Sequence, residues 1–282
     1  MARSEECAAW TRVRGVYRTP LSLLDADFRR HRFAPHSHEE YTVGVTLGGL
    51  DRIDYRRGAL LAGPGSVVVL EPGEMHTGGP GGETGYCYLN LYVPPALFAE
   101  AAGLAPGGDR PHFPEPVLAD PGLHRLLRTA YAEMRSGCDP LAAEVLLVEG
   151  LRGLADRHAG PSSGAGAAAD APVLRGARLV ADAVRERLAD GMAAPPALAE
   201  LAEGLGLSRY QVVRAFRAAT GIPPYAWLAQ HRVAAARGLL DAGTGAAEAA
   251  VAVGFADQAH MTRWFRRVLG VTPGQYLRSA AR

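Results

Sequence analysis

Two hydrophobic spacings divide the chain. Between about residues 10 and 93, apolar positions recur with a period of two and are interrupted by glycine and proline. Tyr41, Val43, Val45 and Leu47 alternate with smaller residues, the pattern of a half-buried strand, because successive side chains of an extended backbone point to opposite faces. The stretch GPGSVVVLEPGEMH, Gly63 to His76, is a turn, a β-branched run and a second Pro-Gly turn, and YCYLNLYVPP, Tyr86 to Pro95, predicts a further strand that prolines end. Many short strands between glycine turns argue for a small antiparallel barrel or sandwich. The spacing then changes to three and four. One helix is predicted from about Asp120 to Arg135 with Leu123, Leu126, Leu127, Ala130 and Met134 on one side, and a second from about Pro140 to Arg157 with Leu141, Val145, Val148, Leu151 and Leu154. The pattern allows this helix pair to cover its own barrel or to meet another subunit.

AGPSSGAGAAADAP, Ala159 to Pro172, holds nothing large enough to anchor a core and reads as a flexible linker. The expected division is therefore 1–158, a linker at 159–172, and 173–282. The last segment is helical throughout and contains a rough duplication. In PALAELAEGLGLSRYQVVRAFRAATG, Pro196 to Gly221, Leu198, Leu201 and Ala202 predict a short amphipathic helix, Gly204 and Gly206 a turn, and Ser208 an N-cap. The next helix buries Val212 and Phe216 and turns Arg209, Tyr210, Val213, Arg214 and Arg217 outward. The plan returns from Gly245 to Tyr276. Ala249, Ala250 and Val253 form a first helix, Gly254-Phe255 a turn, and Asp257 caps a helix that buries Met261 and Phe265. Gln258, Ala259, His260, Thr262, Arg263, Arg266 and Arg267 are left for its exposed side. A continuous helix beginning after Pro223-Pro224 and ending near Gly243 holds the two units apart. Two helices crossed over a tight glycine turn, the second basic on its free face, make a helix-turn-helix.

Charge sharpens this picture. The chain has 282 residues and a net charge of +1, and all of its basic residues are arginine. Residues 1–171 carry 16 arginines against 21 acids, and residues 172–282 carry 14 against 8, so a near-neutral chain has one basic end suited to a polyanion. Composition is otherwise that of a soluble globular protein, 48% hydrophobic and 21% charged. The opening MARSEECAAW has acids and no apolar core, which argues against a secretory leader, and no apolar run approaches the ~20 residues that cross a bilayer. Cys7, Cys87 and Cys138 are odd in number and far apart, which fits a reduced, cytoplasmic protein. No Ser-His-Asp set, phosphate loop or methyl-acceptor cysteine is recognisable.

AVGFADQAHMTRWFRRVLGVTPGQYLR, with its Gly-Phe turn, Arg-x-Phe-basic helix and closing Thr-Pro-x-x-Tyr, resembles the signature of the AraC/XylS family of transcription regulators. LAEGLGLSRYQVVRAFRAATG and the later Arg232, Ala236 and Leu240 match the same family. The resemblance implies seven helices carrying two helix-turn-helix units, whose recognition helices enter successive major-groove segments of double-stranded DNA about 34 Å apart. In those helices Arg214 and Arg263 can each present a donor fork to guanine O6 and N7, and Gln258 can pair with adenine N6 and N7. Tyr210 and His260 reach base edges or thymine methyls, while Arg217, Arg266 and Arg267 suit phosphates. Val213 and Ala259 stand where this family often has polar readers, and Trp264 reads as a packing residue.

Ahead of such a module, HSHEEYTVGVTLGG and GPGSVVVLEPGEMH resemble the cupin-type sensor domain of the same family. The implied architecture is an N-terminal cupin-like antiparallel β-barrel with appended helices, followed by an all-α DNA-binding domain. Metal-binding cupins place a carboxylate four or five residues after His-x-His. Here those positions are Thr42 and Val43, and Glu39 and Glu40 come too early. A regular strand would put His36, His38 and Glu40 on one face, so three readings stay open: polar residues at the barrel mouth, an effector pocket, or a divalent metal on His36, His38 and His76. Candidate effector liners are Tyr17, His36, His38, Glu40, Thr46, His76 and Tyr88. The function expected is that of a ligand-responsive, DNA-binding transcription regulator, homodimeric, with RNA polymerase as a further partner, no membrane association and no required cofactor. The alternative is a cupin-type metal-dependent enzyme with a regulatory DNA-binding domain.

Overall fold

A computed structural model of the chain describes residues 6–14, 19–56, 58–104, 110–160 and 172–280. Among the described residues all strands lie before residue 160, and every element from residue 172 onward is a helix. In the strand-rich unit, strands β1 (Cys7–Arg14), β2 (Pro20–Phe28), β9 (Tyr86–Val93), β4 (Tyr41–Gly49), β7 (Val67–Leu70) and β10 (Val117–Leu118) lie side by side in that order as one sheet. A second sheet runs β3 (Phe33–His36), β8 (His76–Pro80), β5 (Asp51–Tyr55) and β6 (Gly58–Ala62). Helix α1 (Pro95–Ala101) follows β9, and α2 (Pro121–Ser136) and α3 (Pro140–His158) follow β10.

The larger sheet is covered on both faces, which corrects the half-buried strand expected at residues 41–47. Tyr41, Val43 and Val45 pack with Leu89, Leu91 and Val93 against Leu123, Leu127 and Tyr131 of α2 and Leu147, Leu151 and Leu154 of α3. The intervening Thr42 and Thr46 are as fully buried, because they face the second sheet. Leu47 is exposed instead of buried: the β4–β9 register shifts between Thr46 and Gly48, and a bulge at that point reverses the side-chain alternation. Two polar contacts lock α2 to β4. The Tyr131 hydroxyl donates to the Val43 carbonyl at 2.8 Å, and His124 Nε2 donates to the Thr46 carbonyl at 3.1 Å.

Helix α2 buries Leu123, His124, Leu127, Ala130, Tyr131 and Met134, close to the predicted face, with Leu126 half-buried. Helix α3 follows its prediction at Val148, Leu151 and Leu154 and departs from it in its first turns. Ala143, Leu147, Gly150, Leu151 and Leu154 are buried, whereas Leu141 is 70% and Val145 46% exposed. Helix α3 approaches α2 closely at Gly150, where a Cβ would meet Leu127 Cδ2 at 2.7 Å. The helix pair thus covers its own barrel. Ala159 packs on this core and the Gly160 amide donates to the His112 carbonyl at 2.9 Å, so the first two positions of the expected linker are placed. Residues 161–171 of it lie outside the described residues.

Asp120 caps α2 by accepting from the Leu123 amide at 2.9 Å and also accepts from Arg157 Nε and His158 Nε2, each at 3.0 Å. Burial pushes its carboxyl pKa up, but these hydrogen bonds outweigh burial and hold it well below the usual carboxylate range. Asp120→Ala is expected to cost about 1–2 kcal/mol at neutral pH through the lost cap and the two tied side chains. Since the folded value is depressed, this stabilisation is complete above about pH 4 and is lost as pH falls through the folded value. Urea unfolding of both proteins at pH 7 and pH 3 checks it: the gap narrows at pH 3, and a gap independent of pH contradicts the assignment.

The second unit contains seven helices among the described residues: α4 (Pro172–Asp190), α5 (Leu198–Gly204), α6 (Arg209–Thr220), α7 (Pro224–Asp241), α8 (Ala246–Ala252), α9 (Gln258–Leu269) and α10 (Pro273–Ala280). One core joins Ala181, Val184 and Leu188 of α4 to Leu201 and Ala202 of α5, Val212 and Phe216 of α6 and Leu228 of α7. Leu198, expected on the buried side of α5, is 36% exposed. Arg232 is the exception among the arginines whose burial is described. It is buried in α7 and donates through Nε and Nη2 to the Met192 carbonyl at 3.0 and 2.7 Å, so its role is to hold the unit together.

Candidate functional site

The two predicted duplicates share their geometry. Helix α6 is capped by Ser208, whose hydroxyl accepts from the Gln211 amide, and α9 by Asp257, which accepts from the His260 amide. Each ends in a glycine of positive φ, Gly221 and Gly270, where the left-handed backbone closes the last turn. Each buries an i, i+4 pair, Val212 with Phe216 and Met261 with Phe265, all fully excluded from solvent. The turns before them carry Gly206 at φ 63° and Gly254 at φ 90°. At Gly254 a Cβ would also meet the Ala193 carbonyl oxygen at 2.6 Å, so that turn requires glycine on two counts.

With those stripes buried, the opposite faces are set. On α6, Arg209, Tyr210, Arg214 and Arg217 are exposed and Val213 is half-buried; on α9, Gln258, Ala259, Arg263, Arg266 and Arg267 are exposed. Not every expected reader reaches that surface equally. His260 is half-buried, its Nε2 lies 3.1 Å from the Tyr225 hydroxyl, and its ring meets Phe255 edge-on at 5.1 Å. The Thr262 hydroxyl donates to the Gln258 carbonyl at 2.8 Å. The Arg267 guanidinium lies over the Trp264 ring at 5.3 Å, and Trp264 meets Tyr225 edge-on, so Trp264 packs along the helix flank.

In the strand-rich unit the polar residues gather between the two sheets. From β4 these are Thr42 and Thr46; from β9, Tyr88, Asn90 and Tyr92, the positions between the helix-facing Leu89, Leu91 and Val93. Thr46 stands opposite Tyr88 and Thr42 opposite Tyr92. Trp10 stacks on Tyr92 at 5.1 Å, and Tyr86 on Tyr88 at 5.8 Å. The second sheet contributes Asp51, Ile53 and Tyr55, alternate buried residues of β5. Burial pushes the Asp51 carboxyl up to about 7 against a hydrogen bond from the Gly79 amide. Thr42 Oγ1 is buried and has no hydrogen-bond partner among the described residues, a cost that a bound polar group would relieve.

His36, His38 and His76 converge at one end of this space. They come from the last residue of β3, the loop before β4 and the first residue of β8, the strand beside β3. One ring nitrogen of each lies within 4.8 Å of those of the other two. His36 and His76 are buried and His38 is half-buried. The His38 ring is 5.1 Å from that of His76 and 4.9 Å, edge-on, from Tyr92. Glu40 does not join them. Strand β3 ends at His36, so the expected common strand face of His36, His38 and Glu40 does not exist, and residues 37–40 carry Glu40 away in a loop. Tyr17 lies outside the described residues. The reading from sequence also missed Trp10, Thr42, Asp51, Asn90 and Tyr92. Extending the parity of Tyr88 by two and four residues would have found Asn90 and Tyr92, and extending that of Thr46 would have found Thr42, whereas nothing local marks Asp51 as inward.

Comparison with known proteins agrees with both halves. The AraC-like ligand binding domain family matches residues 19–151 and a helix-turn-helix domain family matches residues 201–279, together well over half of the 282 residues. The uncharacterized HTH-type transcriptional regulator YbfI of Bacillus subtilis is 25% identical over 234 residues, covering 82% of each chain. Among solved structures, ToxT from Vibrio cholerae O395 superposes with a TM-score of 0.56 at 10% identity over 98% of each chain. Unsaturated fatty acid bound ToxT from strain SCE256 gives 0.51 at 11% identity, over 99% of this chain and 97% of that one. At that identity the ToxT likeness concerns the fold, and it spans both units. With two recognition helices behind a strand-rich ligand-binding domain, the chain belongs to the AraC-type transcription regulators.

Proposed function

We propose that this regulator works in the cytoplasm as a homodimer, reads paired DNA sites with α6 and α9, and responds to a small molecule held between the two sheets of its N-terminal domain. The observation that carries the DNA half is the division of α9. Met261, Phe265, Val268 and Leu269 are buried, while Gln258, Ala259, Arg263, Arg266 and Arg267 face outward. Arg214 and Arg263 supply the specific guanine contacts and Gln258 the adenine contact, with Arg217, Arg266 and Arg267 on phosphates. His260 and Thr262 act first by holding the helix flank. RNA polymerase is the natural further partner of a bound activator.

The sensing half is supported by the buried, polar and aromatic residues that line the facing sides of the sheets and by the unsatisfied Thr42 hydroxyl. ToxT, with which the chain shares its fold, has been solved with an unsaturated fatty acid bound. Leu24 stands opposite Asn90 and Leu70 opposite Thr42, and Leu70 packs with Ile53, so an effector with an apolar body against Leu24, Ile53 and Leu70 and a polar end near Thr42 fits the lining. We read the unit as a sensor without catalytic activity, since effector and DNA domain together account for its architecture. Among the described residues no helix is long and apolar enough to cross a membrane.

The experiment is a gel shift on the DNA upstream of the protein's own coding region. Arg263→Ala is expected to weaken binding about 10- to 100-fold, the loss of one bidentate base contact. Arg217→Ala should instead weaken all sequences alike and lower the salt slope by about one. Binding unchanged in both Arg214→Ala and Arg263→Ala would sink the assignment.

A further inference from the structure

We propose that the N-terminal domain holds one divalent transition-metal ion on the imidazoles of His36, His38 and His76. The convergence of three ring nitrogens within 4.8 Å is the first observation, and the orientation of the rings is the second. His36 Nδ1 lies 2.8 Å from the Ala34 carbonyl and His76 Nδ1 3.0 Å from the Glu74 carbonyl. A carbonyl oxygen only accepts, so in each ring Nδ1 carries the proton and the neutral imidazole has its lone pair on Nε2. Both histidines make this bond to the residue two positions earlier, one entering β8 and the other leaving β3. A backbone carbonyl on the far nitrogen is the arrangement that fixes the tautomer and aim of a metal-ligating histidine.

The ion class follows from the donors. Three imidazoles without a carboxylate or thiolate suit zinc, cobalt, nickel, iron or copper and disfavour calcium and magnesium, which require oxygen ligands. Bonds of about 2.0–2.1 Å hold tetrahedral donors ~3.3 Å apart, so small rotations of the three rings close the site. The protein supplies three neutral ligands. The ion therefore keeps its full positive charge and an open position, which water or an anionic group fills. Thr42 and Tyr92 stand opposite each other on the adjoining strands, and Tyr92 touches His38, so that open position faces the space between the sheets. The ion is thus placed to receive the anionic end of a small molecule. This last step rests on reading the domain as a sensor, whereas the metal site itself does not.

The test uses the full chain, stripped with chelator and titrated with Co²⁺ at neutral pH, with bound metal measured by elemental analysis. The expected result is visible absorption that saturates at one equivalent, and an unfolding midpoint that rises with metal concentration. His38→Ala, in a half-buried loop, and His76→Gln should each weaken binding at least tenfold while the metal-free proteins keep the wild-type secondary structure. If His76→Gln does not fold, His38→Ala decides. A wild-type protein that stays colourless and thermally unmoved overturns the site, as does wild-type affinity in His38→Ala. Gel shifts on the same samples separate the two claims: intact DNA binding without metal binding removes only the metal, and metal binding without DNA binding removes only the operator assignment. Acetate or a short-chain fatty acid that changes the Co²⁺ spectrum supports the open position, and an unchanged spectrum across such anions rejects it.

Discussion

Phe265→Ala is expected to destabilise the helical unit by about 3–5 kcal/mol and to abolish DNA binding that Arg263→Ala only weakens. Phe265 is fully buried and packs edge-on against Tyr276 at 6.3 Å. Its removal loses the transfer free energy of a phenyl ring and leaves a cavity, and the cost depends on how far the surroundings collapse. Collapse is hindered here because the Tyr276 hydroxyl donates to Asp241 Oδ1 at 2.8 Å, which holds that ring in place. The loss is comparable with the whole stability of a small domain, about 5–15 kcal/mol, so α9 would no longer present its outward face. Denaturant unfolding followed by circular dichroism should show the helical transition moved to lower denaturant with the strand-rich transition unchanged. A loss below about 1 kcal/mol would contradict the packing role.

Gly49→Ala should be the most damaging single-methyl addition in the strand-rich unit. Gly49 closes β4 at φ 68°, and a Cβ there runs into the Gly85 carbonyl oxygen and comes within 2.8 Å of Tyr86 Cα. A left-handed alanine alone costs about 1–2 kcal/mol, and here the obstruction is backbone that cannot swing aside. The β4–β9 pairing at Gly49–Tyr86 and the Leu50 amide to Gly85 carbonyl bond must give way, bringing the expected loss to roughly 3 kcal/mol or more. Gly65→Ala is the control: φ is 89° and no atom lies within 4 Å of its Cβ, so only the conformational cost applies. Thermal unfolding of the two variants should differ clearly, and equal midpoints would reject the steric argument.

The helical half was the more legible from sequence because its signals are local. Caps at Ser208 and Asp257, positive-φ glycines in the turns and i, i+4 apolar pairs each depend on a few neighbouring residues, and all stand where the spacing puts them. The strand-rich half was legible in type and less so in orientation. The period of β4 was read correctly, but the presence of cover on both faces depends on α2, α3 and the second sheet, all distant along the chain. The α3 stripe misled for a similar reason. Leu141 and Val145 have the right spacing, yet the first turns of α3 bury Ala143 and Leu147 instead, and only from Val148 onward does the predicted stripe meet the core.

By itself, then, the sequence determined that a strand-rich unit precedes two helix-turn-helix units, and most of the residues of α6 and α9 that face outward, Val213, His260 and Thr262 being half-buried, because capping, glycine turns and helical periodicity act over one or two turns. Only the tertiary structure decided what meets inside the barrel. It brought His36 and His38 beside His76, forty and thirty-eight positions later, left Glu40 outside, and added Thr42, Asp51 and Tyr92 to the lining. The physical reason is that a strand's spacing specifies two faces without saying which partner covers each, and that assignment is made by sheet register, one bulge and the packing of helices far along the chain.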